Sequence, residues 1–323
     1  MKKKVGFGVI GTGFWGKNHA RVLSELKETN LIAVCDTDAD KAQSIAKRYN
    51  VNWYTRNDDL LKREDIEAVC ICTPTTTHSK IALKTIEYGK HLLIEKPMAN
   101  TAVQAKKIIE EIRKNQLYLM VGFIERFNPG LMRVKKLIES GVLGEIVLAF
   151  SRRVGKWPER IGDMGVVKDS AIHDLDIMRF LFEEDPLSVY ARAGSLHHQY
   201  EDYAQIVLSF SGIKTAFVEA NWFTPHKVRI MTLTGSKAIV NVDYITQEIT
   251  IEDIDKAVKP KREWDEPLKL ELEHFANCVS NDKCPEVSGL DGLRALQISE
   301  AALISAKTGK VIQLLYDDTF VDE

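Results

Sequence analysis

The chain has 323 residues, with 44 Lys plus Arg against 46 Asp plus Glu and a formal net charge of -2. That balance excludes a generally basic nucleic-acid binder and an acidic solvating tail. With 45% apolar and 28% charged residues, and no run near the roughly 18 apolar residues of a membrane span, the composition is that of a soluble protein of about two domains.

After a basic start, residues 5–10 turn apolar and run into a Gly-rich turn without a small-residue cleavage site, which predicts a first β-strand rather than a signal peptide. A helix follows with Ala20, Val22, Leu23 and Leu26 on one face. Strands are predicted over 31–35, 51–54, 66–72, 91–94 and 117–121, and helices over 38–49, 78–88 and 101–113. Continuous apolar strands between amphipathic helices imply a parallel sheet covered on both faces. Right-handed crossovers make it doubly wound. Beyond Gly122 the pattern changes. Helices are predicted over 131–140 and 166–182, and a strand over 145–151. Short strands then dominate over 187–193, 203–210, 215–221, 228–234, 238–242 and 248–251, reading as an open antiparallel sheet. A Lys- and Pro-rich loop spans 256–267, and helices over 268–279 and 292–308 close the chain. The fold class is therefore α/β: an N-terminal doubly wound parallel sheet in residues 1–122, then a C-terminal α+β domain in 123–323 whose sheet needs a cover on one face.

The five cysteines, Cys35, Cys70, Cys72, Cys278 and Cys284, are odd in number, and three lie in apolar runs. This argues against a disulfide scaffold and for buried thiols in the cytoplasm. Cys70 and Cys72 lack zinc-pair spacing, so no metal is expected.

Chemistry enters at Gly11-Thr12-Gly13-Phe14-Trp15-Gly16. This G-x-G-x-x-G follows a strand and opens a helix, the context that gives the pattern meaning. Gly11 permits the turn, Gly13 close approach of a pyrophosphate, and Gly16 helix–strand packing. Asp36 lies 20 residues past Gly16 at a strand end, where a carboxylate meets an adenosine ribose. The strand ends at Thr73-Pro74 and at Glu95-Lys96-Pro97, together with His78, complete the expected cofactor-binding set of Gly11, Gly13, Phe14, Trp15, Gly16, Asp36, Thr73, Pro74, His78, Glu95 and Lys96. Acids at 38 and 40, with only Lys41 to offset them, predict NAD rather than NADP.

In the second domain Asp169 and His173 fall at i and i+4 on one helix face, with Asp176 continuing it. A carboxylate beside an imidazole makes a general base for an alcohol proton. Just before that helix, Arg152, Arg153, Lys156 and Arg160 surround Trp157. Arginines suit phosphate, and Trp157 suits a base or sugar ring, so Arg153, Trp157 and Arg160 are the candidate substrate ligands. Strand alternation sends Arg152 and Arg153 to opposite faces.

Gly11-x-Gly13-x-x-Gly16, Glu95-Lys96-Pro97 and Asp169-x-x-x-His173, in this order, resemble the Gfo/Idh/MocA family of NAD(P)-dependent sugar oxidoreductases. Val121-Gly122-Phe123 and Arg126-Phe127-Asn128-Pro129 extend the resemblance over essentially the whole chain. It implies a Rossmann domain, an open sheet used for homodimers or homotetramers, and catalytic roles for Lys96, Asp169 and His173. Met164-Gly165-Val166-Val167 departs from the longer glycine run of many members. The implied reaction is oxidation of a secondary hydroxyl of a cyclic sugar. His173, oriented by Asp169, removes the proton, and Lys96 stabilises the oxygen's developing charge. The basic segment points to the 3-hydroxyl of a UDP-N-acetylhexosamine, with a free aldose or myo-inositol as the alternative substrate. A silent dinucleotide-binding regulator would need the glycine loop but not Lys96, Asp169 and His173.

Overall fold

A computed structural model describes residues 4–158 and 163–316. In chain order the elements are β1 (Val5–Ile10), α1 (Phe14–Glu25), β2 (Thr29–Cys35), α2 (Ala39–Tyr49), β3 (Asn52–Tyr54), α3 (Asn57–Leu61), β4 (Ala68–Ile71), α4 (Thr75–Glu87), β5 (His91–Glu95), α5 (Ala102–Lys114), β6 (Leu119–Gly122), α6 (Pro129–Glu139), β7 (Ile146–Lys156), α7 (Ile172–Phe182), β8 (Ser188–Gly194), β9 (Tyr203–Ser209), β10 (Thr215–Asn221), β11 (Phe223–Gly235), β12 (Ile239–Asp243), β13 (Glu248–Glu252), β14 (Ala257–Val258), α8 (Pro267–Ser280), α9 (Gly289–Thr308) and β15 (Ile312–Gln313).

The chain forms two compact units. The first holds residues up to Ile124 together with Glu266–Leu293, and the second holds Glu125–Asp265 with the chain from Arg294 on. This differs from the continuous division at residue 122, because α8 returns to the first unit. Its apolar side buries Leu268, Leu272, Phe275 and Ala276. Phe275 meets Phe7 of β1 edge-on at 6.0 Å, and Glu266 pairs with Arg21 of α1.

The first unit's six strands are all parallel, in the order β3-β2-β1-β4-β5-β6. Every residue of β1 is buried, as a central strand covered on both faces requires. The order reverses between β1 and β4, the crevice at which such sheets bind ligands beyond the strands' carboxyl ends. Local signals set the helix ends: Asp38 caps α2 by accepting from Lys41 N, and Thr101 caps α5 by accepting from Gln104 N.

The second unit's nine strands run β14-β13-β12-β11-β7-β10-β9-β8-β15, antiparallel except for β7 beside β10. Alternation is clean: β9 and β10 bury every second residue. One face packs under α6 and α7, burying Ala149, Ala204, Ile206, Ala216, Val218 and Leu233 in one core. The other face carries Leu148, Tyr203 and Ile239, all exposed, with Phe150 stacked on its cross-strand partner Phe217 at 5.5 Å.

Candidate active site

The turn after β1 depends on two glycines. Gly11 has φ +90°, and a Cβ there would sit 2.7 Å from the Cys72 carbonyl carbon. A Cβ at Gly16 would strike the Gly11 carbonyl oxygen. Gly13 differs, because no atom lies within 4 Å of where its Cβ would be. Phe14 beside it is 61% exposed, and no side chain caps α1. A helix N-terminus without a side-chain cap at this open glycine turn fits a dinucleotide's pyrophosphate, whose charge the helix dipole favours. Asp36, half-buried past the end of β2, ties this loop down. Its Oδ2 accepts from Thr12 N at 2.7 Å and Thr12 Oγ1 at 2.9 Å, and its Oδ1 accepts from Asp38 N at 3.0 Å.

At the ends of β4 and β5 the expected residues gather. His78 is 1% exposed. Its Nδ1 lies 2.8 Å from the Pro97 carbonyl oxygen and its Nε2 2.8 Å from that of Thr73. A ring held between two strand-end carbonyls braces the cleft wall, a structural duty beside its expected role as a cofactor contact. Glu95 Oε1 accepts from His19 Nε2 at 2.9 Å, and its Oε2 accepts from the Lys96 backbone N–H at 3.3 Å. Lys96 is only 8% exposed, unlike a solvated surface lysine. Its bond to Pro97 is cis.

Beneath lies Glu271 of α8, fully buried, with neither oxygen hydrogen-bonded among the described residues. Burial, reinforced by the charge of Glu95, holds its carboxyl well above the usual range, so it is kept protonated. Burial likewise pushes the Cys70 and Cys72 thiols up, which makes them inert. All five cysteines are free.

In the second unit the helix predicted over 166–182 opens with a π-turn, Val167–Ala171, before α7. Asp169 therefore stands on an i→i+5 turn, a geometry that recurs at functional sites, rather than in α-helical register with His173. The turn is anchored from the β8–β9 connection: Val166 N donates to Glu201 O at 2.8 Å and Val167 N to Glu201 Oε1 at 3.1 Å. Asp169 and His173 are 6% and 7% exposed. Asp176, expected to extend their face, is fully buried in a two-point ion pair with Arg126 at 2.6 and 2.7 Å.

Among the described residues of the basic segment before the helix, the two arginines turn to opposite faces of the sheet. Arg152 is on the outer sheet face, paired with Glu219 at 3.1 Å. Arg153 is 4% exposed on the inner face. Its Nε donates to Asp174 at 2.5 Å and its Nη1 to Glu125 at 2.9 Å, and it lies over the Tyr244 ring at 5.3 Å. Two buried carboxylates hold Nε and Nη1 of this guanidinium, which gives Arg153 a structural duty beside its expected role as a substrate ligand, while its Nη2 is buried without a hydrogen-bond partner among the described residues. Burial pulls the Glu125 carboxyl upward, but Arg153 and Arg229 outweigh it and hold it below its usual value. Arg229, 3.4 Å from Glu125, is lowered to about 10 by burial and by Arg153. Trp157 packs edge-on against His198 at 4.5 Å and Trp222 at 5.0 Å. Arg160 lies outside the described residues. Sequence reasoning missed Thr12, His19, Glu125, Asp174, Glu201, Trp222 and Glu271. Of these, Thr12 lies within the glycine motif, Glu125 immediately before the Arg126-Phe127-Asn128-Pro129 motif and Asp174 immediately after His173, and the others had no local signal.

The lysine after a strand end, the glycine loop and the Asp–His turn now have their structural setting. Residues 5–123 match the Gfo/Idh/MocA oxidoreductase family, NAD-binding Rossmann fold, and residues 131–241 match the Gfo/Idh/MocA C-terminal domain. The chain belongs to this family. It is similar to the inositol 2-dehydrogenase of Rhizobium meliloti (strain 1021), 31% identical over 96% of this chain and 99% of that protein. It is also similar to the scyllo-inositol 2-dehydrogenase (NAD(+)) of Bacillus subtilis (strain 168), 29% identical over 97% of each. Among solved structures, UDP-N-acetylglucosamine 3-dehydrogenase GnnA from Acidithiobacillus ferrooxidans superposes with TM-score 0.87 at 24% identity, covering 94% of this chain and 98% of that one. That last likeness shows the fold alone. This Gfo/Idh/MocA member is an NAD-dependent oxidoreductase acting on CH–OH groups of sugars or polyols. Among the described residues no helix is long and apolar enough to cross a membrane, and no group of three or more His, Cys, Asp or Glu is placed to hold a metal ion.

Proposed function

We propose that this chain oxidises a secondary hydroxyl of a cyclic polyol of the inositol type, with NAD. The observation that carries the reading is its end-to-end similarity to two inositol 2-dehydrogenases. The pairing of two of the basic residues supports it: Arg153 is bound to Glu125 and Asp174, and Arg152 is turned away to Glu219.

When bound, NAD supplies the hydride acceptor. The protein's share is positioning, proton transfer and charge. Gly11, Gly13, Phe14, Trp15 and Gly16 hold the phosphates, Asp36 the adenosine ribose, and Thr73, Pro74 and Glu95 the nicotinamide end. His173 takes the hydroxyl proton at a ring nitrogen, oriented by the Asp169 carboxylate. Lys96 donates a hydrogen bond where the alcohol oxygen becomes negative. A second copy of the chain covers the open sheet face of Leu148, Phe150, Phe217 and Tyr203, and the free thiols suit the cytoplasm.

The test is NADH formation at 340 nm with myo-inositol, scyllo-inositol, free aldoses and UDP-sugars, with UDP as inhibitor. Turnover of an inositol with no inhibition by millimolar UDP is expected. Turnover confined to UDP-sugars, with UDP competitive, returns the nucleotide-sugar reading. Turnover confined to aldoses moves the substrate to that class.

A further inference from the structure

Asp169 is carried on a π-turn, with its backbone N–H donating to Gly165 O at 3.0 Å. Its side chain has a tether that neither the resemblance nor the sequence pattern assigns. Ser170 Oγ donates to Asp169 Oδ2 at 3.0 Å and accepts from Trp222 Nε1 at 3.2 Å. The direction of this chain is forced. An indole N–H can only donate, and a serine hydroxyl has a single proton. With Trp222 aimed at the oxygen of Ser170, that proton is left to the carboxylate.

Trp222 is itself immobilised. It is 6% exposed, its backbone N–H donates to Asp202 O at 3.0 Å, and its ring is met edge-on by Trp157 at 5.0 Å and by His198 at 6.0 Å. Asp202, fully buried, gathers the backbone N–H groups of Leu196 and His197 at 2.8–3.0 Å. A rigid aromatic wall thus ends in one oriented donor.

We infer that Trp222 and Ser170 are positioning residues for the reaction: their hydrogen-bond chain fixes one oxygen of Asp169, and with it the plane of that carboxylate. The inference rests on the reading of Asp169 and His173 as the proton-transfer pair.

Ser170→Ala removes the donor with little loss of volume and lowers kcat about tenfold, the equivalent of about 1.4 kcal/mol. Ser170→Thr restores the hydroxyl and returns kcat to within about threefold of wild type. KM for NAD stays within about twofold in both, because the change acts on the chemical step. Trp222→Phe keeps an aromatic ring but loses the N–H, and also lowers kcat. Combined with Ser170→Ala it costs no more than Ser170→Ala alone, since it acts through the same hydroxyl. Additive losses, a wild-type kcat in Ser170→Ala, or no rescue by threonine would each overturn the inference. His173→Ala is measured alongside: if it stays active, the proton-transfer reading fails, whereas an inactive His173→Ala beside a fully active Ser170→Ala refutes the positioning chain alone. A measurement without substrate completes the test. The Trp222 indole N–H resonance, assigned by its loss in Trp222→Phe, must shift in both Ser170→Ala and Asp169→Asn, and an unmoved signal overturns the chain.

Discussion

Cofactor choice offers the sharpest quantitative test, because Asp36 has two separable duties. Its carboxylate accepts three donors, two of them from Thr12, a residue with no exposed surface. It also presents a negative charge where a 2′-phosphate would stand. Asp36→Asn keeps one oxygen for the Thr12 pair and removes the charge. Asp36→Ala removes both, leaving the buried Thr12 donors unpaired at about 1–3 kcal/mol each. Lys41 offers no rescue for NADP, since it is engaged by Asp38 at 3.0 Å. A carboxylate and one phosphate charge about 5 Å apart repel by about 3 kcal/mol at an effective dielectric of about 20. Physiological salt reduces this by about half. Removing about 1.5 kcal/mol of repulsion raises kcat/KM for NADP roughly tenfold in Asp36→Asn. Exchanging a charged for a neutral acceptor at the ribose costs about 1 kcal/mol, so KM for NAD rises roughly fivefold. The NAD to NADP preference therefore narrows by about fifty-fold in Asp36→Asn. Asp36→Ala additionally lowers the melting temperature and weakens both cofactors. Initial rates with each cofactor and a thermal melt of each variant decide the matter. A wild-type preference for NADP, or an Asp36→Asn ratio within threefold of wild type, refutes the reasoning.

Lys96→Met and His173→Ala each lower kcat by roughly 10²–10⁴-fold, and fluorescence titration shows NADH binding retained in His173→Ala. Glu271 has a folded-state pKa raised by burial, so the folded state holds a proton that the unfolded state releases above the usual 4.5. Wild-type stability therefore falls with rising pH by about 1.4 kcal/mol per pH unit in that window. Glu271→Gln removes this contribution, so denaturant melts stepped upward from pH 5 show the variant's advantage growing with pH until the folded-state carboxyl ionises, and a pH-independent difference contradicts the raised buried acid. Arg153→Ala leaves Asp174 buried without its ion-pair partner and Glu125 with Arg229 alone, and destabilises by about 3–5 kcal/mol in chemical denaturation. A loss under about 1 kcal/mol removes Arg153 from the structural frame.

The first unit was legible because its information is local. Six apolar strands alternating with helices, a glycine loop between the first pair, and an acid 20 residues on all reflect neighbours in sequence, and the strand order follows from handedness. What was not legible depends on contacts between distant segments. Nothing near Pro267 marks α8 as part of the first unit, since its apolar face would suit either sheet. The alternation that places Arg152 and Arg153 on opposite faces was readable, but Arg153's partners lie 21 and 28 residues away.

Arg153 shows why a basic cluster misleads about substrate. Four cations in nine residues look like a site only if their side chains converge, and a strand separates adjacent residues by construction. Once separated, the two arginines of the strand take different carboxylates: Glu219 across the outer face for Arg152, Asp174 and Glu125 beneath the helix for Arg153. The latter pairing places a cation directly beneath α7, between Asp174, the neighbour of His173, and Glu125, just past β6. Its energetic role is to satisfy two buried charges that would otherwise each cost several kcal/mol. With Nε and Nη1 so engaged, two of its donors are not available to a pyrophosphate. Selectivity for a neutral ring then falls to the hydrogen-bonding side chains around Asp169 and His173. The decisive comparison is therefore UDP inhibition in wild type: absence of competition at millimolar UDP agrees with Arg153 as frame, whereas competitive inhibition lost in Arg153→Lys, which keeps the charge but not the two-point fork, would put that guanidinium back at the substrate.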